Sequence, residues 1–217
     1  SITLSATVPT RSGYTFAGWN TLANGTGTNY NSSASYTMPG TNTTLYAKWT
    51  AATSTIAYDG NSPTTGTAPT SSTGTSGAAT TVAGNTGTLA KAGYTFAGWN
   101  TAANGTGTDY SAGSAINYPA SGTTTLYAKW TAVSYTVAYN SNGGSAAPVS
   151  SSQLYGTTVT VAAASANPTR SGYTFAGWNT QVGGGGTAQA AASTFSMPAN
   201  NVTLYAQWTA INYNVTY

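Results

Sequence analysis

Two carboxylates, Asp59 and Asp109, and five cations, Arg11, Lys48, Lys91, Lys129 and Arg170, are the only side chains of fixed charge in a 217-residue chain that has no His and no Cys. General acid–base catalysis, thiol chemistry and transition-metal sites draw on His, Cys or clustered carboxylates. Asp59 and Asp109 are the only acids available, and they stand fifty residues apart in sequence. The chain is therefore read as no enzyme, with no catalytic residue, no cofactor and no metal site. Lys48 and Lys129 invite comparison with lysines that form isopeptide cross-links, but that reaction needs a nearby acid, and the matching position later in the chain is Gln207. The run Gly183–Gly186 has neither the Lys-Ser/Thr of a phosphate-binding loop nor a helix after it, and reads as a turn. Asn-x-Ser/Thr triplets at Asn24, Asn31, Asn42, Asn104, Asn201 and Asn214 follow from a composition rich in Asn and Thr, and become glycan sites only in a host that glycosylates them.

The charged fraction is 3%, against roughly 25% in an ordinary soluble domain. A surface of hydroxyls and amides replaces the usual ionic one. With 40% apolar and 12% aromatic residues the chain is too rich to be disordered. The formal charge of +3 comes from scattered cations with no basic run, which excludes nucleic acid as a partner. No stretch approaches the roughly 20 apolar residues of a membrane span, so no membrane insertion is expected in this segment. Ser1 does not open a signal peptide, and any export signal or anchor is expected outside the segment.

Self-similarity organises what remains. Gly-Tyr-Thr-Phe-Ala-Gly-Trp-Asn-Thr occurs at Gly13–Thr21, Gly93–Thr101 and Gly172–Thr180, and Leu-Tyr-Ala-Lys/Gln-Trp-Thr at Leu45–Thr50, Leu126–Thr131 and Leu204–Thr209. The period is about 80 residues. A third block, a short strand ending in Tyr, precedes them at Thr55–Tyr58 and Tyr135–Tyr139 and recurs at Tyr213–Tyr217. In that phase residues 52–132 and 133–210 are complete units, residues 1–51 lack the opening strand, and 211–217 is the opening strand of a further unit. Alternation of period two in Ile2-Thr-Leu4-Ser-Ala6-Thr-Val8, with Asn24-Gly25, Asn104-Gly105 and Asn142-Gly143-Gly144 as turns, predicts short strands. Pro39, Pro119 and Pro198 fall just before each closing strand, where a missing donor costs least. One short helical turn is expected at Ala188–Ser193. The fold class is mainly β, α+β at most.

The ordered blocks Tyr135-Thr-Val-Ala-Tyr-Asn-Ser-Asn-Gly-Gly, Arg170-Ser-Gly-Tyr-Thr-Phe-Ala-Gly-Trp and Leu204-Tyr-Ala-Gln-Trp-Thr resemble the Listeria–Bacteroides repeat, or internalin B-repeat, family. The resemblance implies β-grasp-like modules in a linear tandem array, belonging to bacterial extracellular or cell-surface proteins between a head domain and a wall anchor. It implies no enzyme activity. The chain departs from the family pattern in its scarcity of charge and in a Thr/Ser/Gly-rich, insertion-like stretch from Asn61 to Thr88.

All six Trp lie at two repeat-fixed positions: Trp19, Trp99 and Trp178, then Trp49, Trp130 and Trp208. With Phe16, Phe96 and Phe175 they are assigned to the structural core, because a module this small has few other large apolar groups to bury. The competing assignment is an aromatic platform for a sugar, which requires exposure. The period-two rule sends Leu45, Ala47 and Trp49 to one face and Tyr46 to the other, toward a neighbouring repeat or chain. Two functions follow. One is a structural stalk or filament segment, continuing covalently as a longer repeat protein or polymerising head to tail with copies of itself through a strand carrying Tyr213, Val215 and Tyr217. The other is an adhesin that binds glycan or a surface protein through exposed aromatics.

Overall fold

Alternating Thr, Tyr, Val and Ala, interrupted by Asn-Gly and Pro, build short strands and leave no residue run for a long helix. The structure, a computed structural model, describes the backbone of residues 1–217 and every side chain but that of Ala164. Within residues 1–51, repeat 1, the strands are β1 (Ile2–Thr3), β2 (Tyr14–Asn20), β3 (Asn29–Tyr30), β4 (Ser35–Tyr36) and β5 (Tyr46–Ala51). β3, β2 and β5 form an antiparallel sheet in that order, and β1 pairs with β4 as a separate ribbon.

Repeat 2 adds β6 (Thr53–Asp59), β7 (Ser72–Thr75), β8 (Ala79–Thr81), β9 (Tyr94–Asn100), β10 (Asp109–Tyr110), β11 (Ala115–Asn117) and β12 (Thr123–Ala132). Repeat 3 repeats the series as β13 (Ser134–Asn140), β14 (Ser151–Leu154), β15 (Thr158–Thr160), β16 (Tyr173–Asn179), β17 (Ala188–Gln189), β18 (Thr194–Ser196) and β19 (Val202–Ala210). Each has a five-stranded mixed sheet, ordered β10-β9-β12-β6-β7 and β14-β13-β19-β16-β17, and a two-stranded ribbon, β8–β11 and β15–β18. The opening strand runs parallel to the closing one: Ile56 faces Thr124 and Tyr58 faces Leu126, as Val137 faces Val202 and Tyr139 faces Leu204. These central strands alternate buried with half-buried residues, so one face of each sheet carries the core. Ile56, Val137, Leu126 and Leu204 are accordingly without exposure.

Two sequence expectations are corrected here. The stretch from Asn61 to Thr88 is no insertion, for it holds β7 and β8, the counterparts of β14 and β15. Its Thr and Ser hide a pattern that Val159 and Val161 make plain in repeat 3. Ala188–Ser193 forms no helical turn: β17 pairs Ala188 and Gln189 with Asn179 and Trp178, so tertiary pairing overrides the Ala-rich propensity. Helical structure in repeat 3 is the 3-10 turn Ala164–Ala166.

The chain divides into two compact bodies, Ser1–Leu89 with Ala97–Lys129, and Ala90–Phe96 with Trp130–Tyr217. The second has its core in Val137, Val159, Val161, Trp178, Met197, Leu204 and Ala206. In the first, Ile56, Val82, Leu89, Trp99, Leu126 and Ala128 are buried.

Candidate functional site

The Ala-Gly-Trp-Asn block does local structural work that its composition only partly announces. Gly18, Gly98 and Gly177 have φ of 113°, 113° and 112°, and the register of β2 on β5 and of β16 on β19 shifts beside them. A Cβ at Gly18 would meet Tyr30 O at 2.6 Å, so both the backbone angle and the close approach require glycine. The bulge turns the next residue, Trp, toward the core. Trp99 and Trp178 are fully buried, whereas Trp19, Trp49, Trp130 and Trp208 are half-buried, as are Phe16, Phe96 and Phe175. Phe16–Trp49, Phe96–Trp130 and Phe175–Trp208 meet edge to face with ring centroids 5.8 Å apart.

Sequence reasoning assigned no role to the Asn after this Trp. Asn20 is fully buried; its Oδ1 accepts from Leu22 N (2.8 Å) and Gly27 N (3.1 Å), and its Nδ2 donates to Gly25 O (3.2 Å) and Gly27 O (3.0 Å). Asn100 and Asn179 repeat the arrangement on their own loops. One amide thus satisfies four backbone groups of the following turn. The signal was in the sequence: an Asn at fixed distance before a Gly-rich loop in all three repeats.

The charged residues do not converge. Asp109 forms an exposed ion pair with Lys129, and hydrogen bonds from Lys129 and then Asn100 hold its carboxyl below the usual carboxylate range. Lys48 donates to Asn29 Oδ1 at 3.3 Å, Gln207 to the carbonyl of Gln181 at 3.4 Å, and Asp59 accepts from Asn61 N. No group of three or more metal-ligating side chains occurs among the described residues.

Geometry concentrates instead at the strand that enters each repeat. Ala52 lies between β5 and β6; its N–H donates to Gly13 O (2.9 Å) and its carbonyl accepts from Ser76 N (2.8 Å) in the β7–β8 hairpin. Val133, between β12 and β13, donates to Gly93 O and accepts from Tyr155 N, both at 2.9 Å. Gly93 packs so closely on the Tyr155 ring that no side chain fits there. Tyr94 also meets that ring edge to face at 5.3 Å. A third corner residue, Ile211, donates to Gly172 O (2.9 Å) and is 40% exposed.

Beyond Ile211, Tyr213, Val215 and Tyr217 are 77%, 75% and 116% exposed and join no strand. At the other end β5 has no parallel partner among the described residues. Beside it opens a groove of about 550 Å³ lined by Val8, Pro9, Arg11, Tyr14, Phe16 and Trp49. In repeat 3 the matching Trp208, also half-buried, donates its Nε1 to Ser141 O (3.1 Å) and Asn142 O (3.0 Å) in the turn after β13.

The three-fold geometry has counterparts in known sequences. A glycine-rich protein of Evansella cellulosilytica, named a membrane protein, is 34% identical over 213 residues, 95% of this chain and 23% of that protein. Another protein named a membrane protein in the same organism is 40% identical over 41% of this chain and 13% of its own length. Internalin H of Listeria monocytogenes is 38% identical over 55% of this chain and 20% of its own length. The chain thus spans less than a quarter of each of these relatives. No solved structure matches it. The pattern of the Listeria-Bacteroides repeat domain matches residues 1–48, 55–129 and 135–207, one stretch for each repeat of the motif, and by these matches the chain belongs to the Listeria-Bacteroides repeat domain family.

Proposed function

We propose that the chain is a non-enzymatic structural segment of a bacterial cell-surface stalk, in which repeats joined head to tail space other parts of a longer protein. The observation that carries this reading is the one-residue junction. Ala52 and Val133 each pass directly from a closing strand to the next opening strand, and each is hydrogen-bonded on both sides. A single residue held in that way is no flexible linker. Stability in such an array is the sum of each repeat and its neighbour contacts, and needs no reactive side chain. The relatives are long proteins named for membranes or as an internalin, which fits a surface location.

Aromatic exposure favours spacing over sugar binding. The Tyr of the Gly-Tyr-Thr-Phe block is 40% exposed at Tyr14 and 36% at Tyr173, with Arg11 and Arg170 stacked over them, yet its counterpart Tyr94 is covered by Tyr155. A platform used for binding would stay open in every repeat. Small-angle scattering on this chain and on chains lengthened by one and two further repeats tests the proposal. The maximal dimension is expected to rise by an equal step for each repeat; a dimension that plateaus, as in a collapsed assembly, overturns it.

A further inference from the structure

The strands by which the chain enters and leaves a repeat decide how that repeat meets a pull. Repeat 3 opens with β13 and ends with β19, and these strands lie side by side and parallel, Val137 opposite Val202 and Asn140 opposite Tyr205. Tension along the chain draws Ser134, the first residue of β13, backward and Ala210, the last of β19, forward. In a parallel pair these pulls act in opposite senses along the strands, so the strands must slide lengthwise and every bond between them is strained at once. An antiparallel pair loaded at its entry and exit would instead open from one end, bond by bond.

The seam between the two strands is longer than the ladder. Ahead of it Thr136 N–H donates to Asn201 Oδ1 at 2.9 Å. Beyond it Asn142 Nδ2 donates to Ala206 O at 2.9 Å, and the Trp208 indole N–H reaches the carbonyls of Ser141 and Asn142. Val137 and Leu204, inside the ladder, have no exposure, so on that face water is kept from a bond as it stretches. Repeat 2 is built alike. Thr55 to Asp59 pair with Thr123 to Tyr127, Thr55 N–H donates to Gly122 O (2.9 Å) ahead of them, and Asn61 Nδ2 donates to Ala128 O (3.0 Å) beyond. Single residues, Ala52 and Val133, join each closing strand to the next opening strand, so a pull passes from strand to strand with no slack.

We propose that repeats 2 and 3 are tension-bearing clamps, in which the parallel seam of opening and closing strands holds the load that a stalk carries. The residues from Gly143 to Asn200, with β14 to β18 among them, lie outside the path of the force and stay folded until the seam gives. Release then frees residues 133–210, which at about 3.5 Å per extended residue add roughly 250 Å of chain. The clamp rests on the stalk reading, since only a chain fixed at both ends comes under tension, but it concerns strength where the scattering test concerns length.

Force spectroscopy on the full chain, held through pairs of cysteines placed in a sequence that has none, tests it. Ser134→Cys with Ala210→Cys loads the seam of repeat 3 in shear. Ser134→Cys with Asn200→Cys loads the same seam from one end, because both residues precede the paired ones. All three positions are exposed, so both double variants fold like the parent. The rupture force of the first pair is expected to be at least about threefold that of the second, because the bonds from Thr136 to Asn142 give way together and not in turn. Asn142→Ala is expected to lower the force for the first pair and leave the second unchanged, since its bond to Ala206 lies at the far end of the seam. Equal forces for the two pairs overturn the clamp, and so does an equal loss in both on Asn142→Ala. Either outcome leaves the scattering test of the stalk reading standing, because a spacer need not resist a pull.

Discussion

Repeat 1 and repeat 3 share their sequence blocks and their local turns, yet differ in what their central strand touches. Asn20 and Asn179 each hold the following loop by bonds to the same backbone groups, and Gly18 and Gly177 form the same bulge. Leu204, by contrast, is fully buried between β13 and β16, whereas its counterpart Leu45 is half-buried and outside β5. The contrast separates two levels of the fold. The Asn-held turns are built by residues within about ten positions of one another, the bulge by two strands of the same repeat, and both features recur in repeats 1 and 3. The core closes where the opening strand lies parallel to the closing one, as β13 does to β19.

The largest expected effect exploits this difference. Met197→Ala removes a buried side chain and is expected to cost about 3 kcal/mol, while Met38→Ala at the matching exposed position costs about 1 kcal/mol or less. Urea unfolding of each variant, followed by Trp fluorescence, checks the pair; equal losses break the comparison. Next in size, Asn20→Ala and Asn179→Ala are each expected to cost about 2 kcal/mol, because each strands several buried backbone groups. Here the two repeats should agree, and a loss confined to repeat 3 would show that the turns too depend on the opening strand.

A smaller effect is expected of Tyr139→Phe, which leaves Ala162 N–H without its acceptor and costs about 1 kcal/mol in the same assay. The smallest concerns charge. The Asp109 carboxyl is held below its ordinary value by Lys129 and Asn100, so its contribution is present above about pH 4, the unfolded value, and is lost as pH falls through the folded one. Because the pair is exposed, Lys129→Gln should shift the melting temperature slightly at pH 7 and not at all near pH 2. With so little charge to screen, melting of the whole chain should hardly move between low and molar NaCl.

Much of the fold was legible in the sequence because its signals are local. Strand positions and turns followed from period-two alternation and from Asn-Gly, which act over a few residues. Parallel pairing of opening and closing strands was not legible, since Val137 and Val202 meet from distant parts of the repeat with no sequence mark. Nor was the junction: Gly93 reads as an ordinary turn glycine until Tyr155 is found packed against it. The Asn cage was missed although the signal existed, because Asn next to a Trp draws attention to the Trp. Strands β7 and β8 were misread as an insertion because Thr and Ser carry a period-two pattern without an apolar contrast.

The central claim is that a repeat closes its core only where an opening strand lies parallel to its closing strand, as β13 does to β19. Amide hydrogen exchange on the chain at low concentration tests it directly. The account predicts that Thr43 to Leu45 exchange freely while Thr203 to Tyr205 are protected. Equal protection of the two segments would contradict it.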